Sequence, residues 1–171
     1  LIVDAAPGAT IPQFLAVLET ARRAAPRVFA TGHSAGAALI LDTLDPGAGR
    51  ASARNVYPPE FEPPDLLSGV AVMGCSLQPK TLNMVLPHRS ESRLLARPGD
   101  TPLLFLAGDH DQIAPPVLME RTRQRYAPPT ALVVLAGGTH YGFAEGADAT
   151  DNPAFDQPDG ADTAGQRART V

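Results

Sequence analysis

Four short apolar runs, each leading into a glycine-bearing turn, constrain this chain more than any other feature. They are Arg27–Thr31, Val70–Met73, Leu103–Ala107 and Ala131–Leu135. A strand with one face in water alternates apolar and polar residues. These runs are nearly continuous instead, which suits a parallel sheet covered on both faces. Helical patterns lie between them. Ile11, Phe14, Leu15 and Leu18 recur at helical spacing after the capping-box pattern Thr10-Ile11-Pro12-Gln13, which predicts a helix ending near Pro26. A second helix is expected from Ala37 to about Leu44, closed by Gly47 and Gly49, and a third from about Pro116 to Tyr126. Strands alternating with helices place the chain in the α/β class, as a mostly parallel sheet with helices on both faces. At 171 residues it is long enough for one domain with a substantial core, and residues 1–171 are read as that single domain. Residues 50–65 are proline-rich and read as an ordered surface loop. The stretch Cys75–Asp100 has mixed signals, with one short helix expected around Ser90–Ala96.

The turn after the first run is Gly32-His33-Ser34-Ala35-Gly36. Gly-x-Ser-x-Gly between a strand and a helix is the pattern of a nucleophile elbow, whose sharp turn lifts a serine hydroxyl clear of the backbone. The serine of such a turn is strained, and side chains two residues to either side are expected to crowd it. A serine hydroxyl at its ordinary pKa is a poor nucleophile. It needs a histidine within hydrogen-bond reach and a third group to hold that histidine.

The chain has four histidines. His33 lies inside the elbow, where its side chain is expected to point away from Ser34 in a structural or pocket-wall role. His88 falls in the poorly patterned middle, and His110 adjoins the acid candidates as a loop residue. His140 follows the fourth run across Gly137-Gly138-Thr139. Loops at the carboxyl ends of parallel strands are where catalytic groups gather, so His140 is the candidate base. The equivalent loop of the third run, Gly108-Asp109-His110-Asp111, offers two carboxylates. Asp111 is preferred because a turn beginning at Gly108 needs residues to reach the histidine; Asp109 is the alternative. The loop after the second run, Gly74–Gln78, contains no carboxylate.

A formal net charge of −4 gives no electrostatic footprint for nucleic acid. No apolar run approaches the length of a transmembrane helix. The single cysteine, Cys75, forms no internal disulfide. It is expected to be a buried, unreactive thiol, with a place in the pocket wall as the alternative. Tyr141 and Phe143 flank the turn of His140 as core or pocket wall. Arg121, Arg123 and Arg125 read as a solvated helix face. The acidic run Glu145, Asp148, Asp151, Asp156, Asp159 and Asp162 lacks EF-hand spacing and reads as a solvated loop. No metal or cofactor is implied.

Three motifs together carry a resemblance. They are Gly-His-Ser-Ala-Gly, Gly108-x-x-Asp111-x-x-x-Pro115 and Gly138-Thr139-His140-Tyr141-Gly142-Phe143, in the chain order Ser34, Asp111, His140. From its first helix to its end the chain resembles the α/β-hydrolase superfamily, which has this order. The last motif is similar to serine esterases of the chlorophyllase, platelet-activating-factor acetylhydrolase and dienelactone-hydrolase-like groups. Dienelactone hydrolases themselves carry a cysteine where this chain has Ser34. The resemblance implies Ser34 as nucleophile, His140 as base, Asp111 as its orienting acid and the Ala35 N–H as an oxyanion donor. The implied partner is a small-molecule carboxylic ester, with His33, Cys75 and Tyr141 near it. Acyl transfer or perhydrolysis by the same three residues is one alternative, and a non-catalytic binding protein on the same fold is another. The short interval Gly74–Thr101 favours a lightly capped site and accessible esters. Members of the superfamily carry several strands before the helix that leads to the elbow strand, and one of their loops supplies a second oxyanion donor. Leu1-Ile2-Val3-Asp4 reads as the end of a strand already under way. The chain is therefore expected to be a fragment of a longer protein, inactive and aggregation-prone by itself.

Overall fold

The computed structural model describes residues 11–44, 67–78, 101–126 and 129–143. The expectations for Thr10, Gly47, Gly49, the proline-rich loop, His88, the helix at 90–96 and the acidic run lie outside the described residues. The elements run α1 (Ile11–Ala24), β1 (Phe29–His33), α2 (Ser34–Thr43), β2 (Gly69–Met73), β3 (Leu103–Gly108), α3 (Pro116–Arg123) and β4 (Thr130–Leu135), then a 3₁₀ turn at Tyr141–Phe143. The strands form one sheet in the order β1-β2-β3-β4, and every pair is parallel.

Each helix starts and stops for local reasons. α1 buries Leu15 and Leu18 and half-buries Phe14 of the expected stripe, and ends two residues before Pro26, whose ring disfavours helical backbone at the residue preceding it. Arg22 and Arg23 in its last turn complement the negative end of the helix dipole. α3 opens on Pro116, where a missing N–H costs nothing. Its Arg123 differs from the expected solvated face. The guanidinium forks onto both carboxylate oxygens of Glu120, at 2.7 and 2.6 Å, and reaches Thr130 of β4 at 3.1 Å. That fork holds the Glu120 carboxyl down at about 2.

Register places Val72 beside Phe105, and both are fully buried. Val70, Leu103 and Ala107 share their face, and with Ala37, Ala38 and Leu41 of α2 and Met119 of α3 they form one core. Phe29, Leu104 and Val133 have the opposite parity and are exposed. An open groove of about 610 Å³ runs past Phe29, Ala71, Leu104 and Ala131, toward the starts of the strands. The residues described next gather at the other end of the sheet.

β1 runs through His33, two residues beyond its expected end, because Gly32 and His33 continue the ladder opposite Val72 and Met73. Strand and helix therefore meet with no loop residue between them.

Candidate active site

At that junction Ser34 has φ of 51°, and among the described residues it is the one non-glycine with positive φ. Such a conformation costs on the order of 1–3 kcal/mol and persists only where its surroundings impose it. Here β1 is laddered to β2 on one side and α2 starts immediately on the other. Gly32 permits the closeness: a Cβ there would lie 2.7 Å from Ile40 Cδ1 and 2.8 Å from the Ala37 nitrogen. Gly36 is different from expectation. A Cβ at Gly36 would meet nothing within 4 Å, although the Gly36 carbonyl carbon would itself lie 2.9 Å from a Cβ at Gly32.

The structure brings Ser34, Asp111 and His140 together from the ends of three strands. His140 Nε2 lies 3.1 Å from Ser34 Oγ, and His140 Nδ1 lies 2.9 Å from Asp111 Oδ2. His140 and Asp111 are both buried, whereas Ser34 is partly open. The second carboxylate oxygen of Asp111 is also committed. Oδ1 accepts the Ile113 N–H at 2.9 Å and the Ala114 N–H at 2.7 Å, which fixes the rotation of the carboxylate. Asp109 is exposed instead, with its carboxylate 4.0 Å from His110.

Backbone contacts dock the acid loop on the histidine loop. The Asp109 N–H donates to Leu135 O and the His110 N–H to Gly138 O. Gly108 approaches Gly138 so closely that an added Cβ would collide with the Gly138 carbonyl oxygen. The loop after β2 supplies a wall rather than an acid. Gly74 has φ of 53°, and a Cβ there would come within 3.1 Å of His140 Nδ1 and 3.2 Å of Asp111 Oδ2. Sequence reasoning passed over Gly74; a glycine ending a strand beside a loop without carboxylates was the available signal.

The other sequence candidates take distinct places. The Ala35 N–H is in the first turn of α2, where N–H groups have no intrahelical acceptor, and the residue is exposed. His33 Nε2 lies 2.8 Å from the carbonyl oxygen of His140, so its ring faces the histidine loop. Tyr141 is half-buried and stands edge-on to the His140 ring at 5.1 Å. Cys75 lies in the core, and burial pushes its thiol up to about 12. Burial therefore leaves little of the reactive thiolate at neutral pH. Cys75 is accordingly expected to resist Ellman's reagent at pH 8 in the native protein and to react at once in denaturant; rapid native labelling would contradict its burial. Among the described residues no cluster of three His, Cys, Asp or Glu side chains could hold a metal ion. Among them also, no helix is long and apolar enough to cross a membrane.

No protein-family model and no curated protein matches the sequence. Solved structures do. Est1E from Butyrivibrio proteoclasticus superposes with a TM-score of 0.54 at 15% identity, over 77% of this chain and 63% of that one. A monoacylglycerol lipase from Paleococcus ferrophilus gives 0.50 at 14% identity, over 80% and 69%. An alpha/beta hydrolase enzyme from the metagenome of sediments of the Mar Chica lagoon, Morocco, gives 0.51 at 14% identity, over 86% and 69%. The chain thus spans between six- and seven-tenths of the length of these structures. Likeness at such identities is one of fold, and with the parallel sheet and its helices it shows that this chain has the α/β-hydrolase fold.

Proposed function

We propose that the protein is a serine hydrolase of carboxylic esters, working through an acyl-enzyme on Ser34. The observation that carries this reading is the unbroken relay from Ser34 Oγ through His140 to Asp111 Oδ2, anchored at its far end by two backbone N–H groups. In this reading Ser34 Oγ attacks the ester carbonyl while its proton passes to His140 Nε2. Asp111 holds the Nδ1–H tautomer and offsets the charge of the imidazolium. The Ala35 N–H faces the oxyanion. Collapse of the tetrahedral species breaks the acyl–oxygen bond, and His140 returns the proton to the leaving alcohol. Water then attacks the acyl-enzyme, giving its proton to the same nitrogen, and Ser34 departs with it as the acid is released. The lipase named among the similar structures supports an ester as the substrate class.

The direct test is a fluorophosphonate probe on the full-length protein, followed by mass analysis of the peptide containing Ser34. Stoichiometric modification of Ser34 and saturable cleavage of a nitrophenyl butyrate are expected. An unmodified Ser34 in a folded sample would overturn the proposal.

A further inference from the structure

We infer that His33 is a positioning residue for His140, tying the base to the nucleophile's own strand through a bond that survives the reaction. The inference rests on the serine-hydrolase reading above. His33 is the last residue of β1 and the N-cap of α2, yet its side chain makes no capping bond. It reaches across the elbow to the main chain of His140, 2.8 Å from the carbonyl oxygen. A carbonyl oxygen only accepts, so His33 Nε2 carries the proton and donates it.

The position of this bond matters because of what else holds His140. Its Nδ1 is held by Asp111, and its loop is docked by His110 N–H on Gly138 O, both from the turn after β3. The Gly142 N–H to Thr139 Oγ1 bond is internal to the loop. On the serine side the relay bond is a further tie, and it is consumed when Oγ attacks and its proton leaves. The His33 bond involves neither reacting atom. It keeps the imidazolium over the elbow while the leaving alcohol collects the proton.

The ring of His33 is itself pinned. It lies 4.7 Å from the His140 ring and 6.0 Å from that of Phe143, centroid to centroid. Losing the donor would loosen the base relative to Ser34 while leaving the open side of the site intact. A displacement of about 1 Å in a reacting group can cost on the order of 100-fold in rate. The cost should fall on the chemical step and not on ester binding.

The experiment compares His33→Phe, which keeps ring volume without a donor, with His33→Gln, whose amide N–H can reach the same carbonyl. Each variant is measured for kcat and KM on nitrophenyl butyrate, fluorophosphonate rate constant and Tm. For His33→Phe, kcat and the fluorophosphonate rate are expected to fall together, by about 10- to 100-fold, with KM within about twofold. His33→Gln is expected to recover most of that loss. Three results would overturn the inference: parental kcat in His33→Phe, a raised KM at unchanged kcat, or equal impairment of the two variants at parental Tm. If the parental protein itself leaves Ser34 unmodified, the hydrolase reading fails first and the inference falls with it. Parental labelling with any of the three results sinks the role of His33 alone.

Discussion

Replacing Asp111 with asparagine is expected to lower kcat on a short acyl ester by about 10⁴-fold, with the fold retained. The geometry explains why an isosteric change should cost so much. Oδ1 of Asp111 accepts two backbone N–H groups, from Ile113 and Ala114. An asparagine must keep its carbonyl oxygen there, because an amide NH₂ facing two N–H donors would leave buried groups unpaired. Its NH₂ is then forced onto His140 Nδ1, where the aspartate offered an acceptor. His140 Nδ1 becomes the acceptor and Nε2 carries the proton, so Nε2 can no longer take one from Ser34. Asp109→Asn alters an exposed side chain and should leave kcat within about twofold, as surface changes away from such networks do. Steady-state kinetics on both variants, with Tm as the control for folding, checks this. A larger loss in Asp109→Asn would move the acid by two residues.

Ser34→Ala is expected to abolish fluorophosphonate labelling and reduce kcat by on the order of 10⁶-fold, the scale on which loss of a triad nucleophile acts. The backbone supplies a second readout. Alanine at φ of 51° keeps the strain of serine, whereas glycine adopts that conformation freely. Ser34→Gly should be as inactive as Ser34→Ala but unfold at a higher temperature, by roughly 1 kcal/mol of stability. Labelling that persists in either variant would remove Ser34 from its role. A glycine variant no more stable than the alanine one would mean that the elbow carries no releasable strain.

Much of this was legible because it depends on local pattern. Apolar runs of four or five residues bounded by turns give strands, and Gly-x-Ser-x-Gly dictates a turn within five residues. The preference for Asp111 over Asp109 followed from the reach of a turn starting at Gly108. Features that depend on contacts between distant segments were not legible. His33 was read as facing away from Ser34 in a structural or pocket-wall role, and its bond to His140 was hidden because the acceptor lies 107 residues on. Gly74 drew no reading of its own because its neighbours, His140 and Asp111, come from two other loops. Gly36 was expected to relieve crowding by symmetry with Gly32, but the elbow is asymmetric. A Cβ at Gly32 would be pressed against Ile40 and the start of α2, whereas one at Gly36 would point into open space. The fork of Arg123 on Glu120 and Thr130 was hidden by the reading of three alternating arginines as solvated.

The close approach of Gly108 to Gly138 is made of main chain on both sides. No side-chain substitution can tune it gradually, so the spacing of Asp111 and His140 is inherited from the β3–β4 ladder. The sheet works as a gauge block for the proton relay. Among the described residues, the half-exposed Tyr141 and the open side of Ala35 and Gly36 border the site without entering that main-chain contact. On the proposed hydrolase reading, a library confined to positions 35, 36 and 141 is expected to change substrate preference while the distance between Asp111 and His140 stays unchanged.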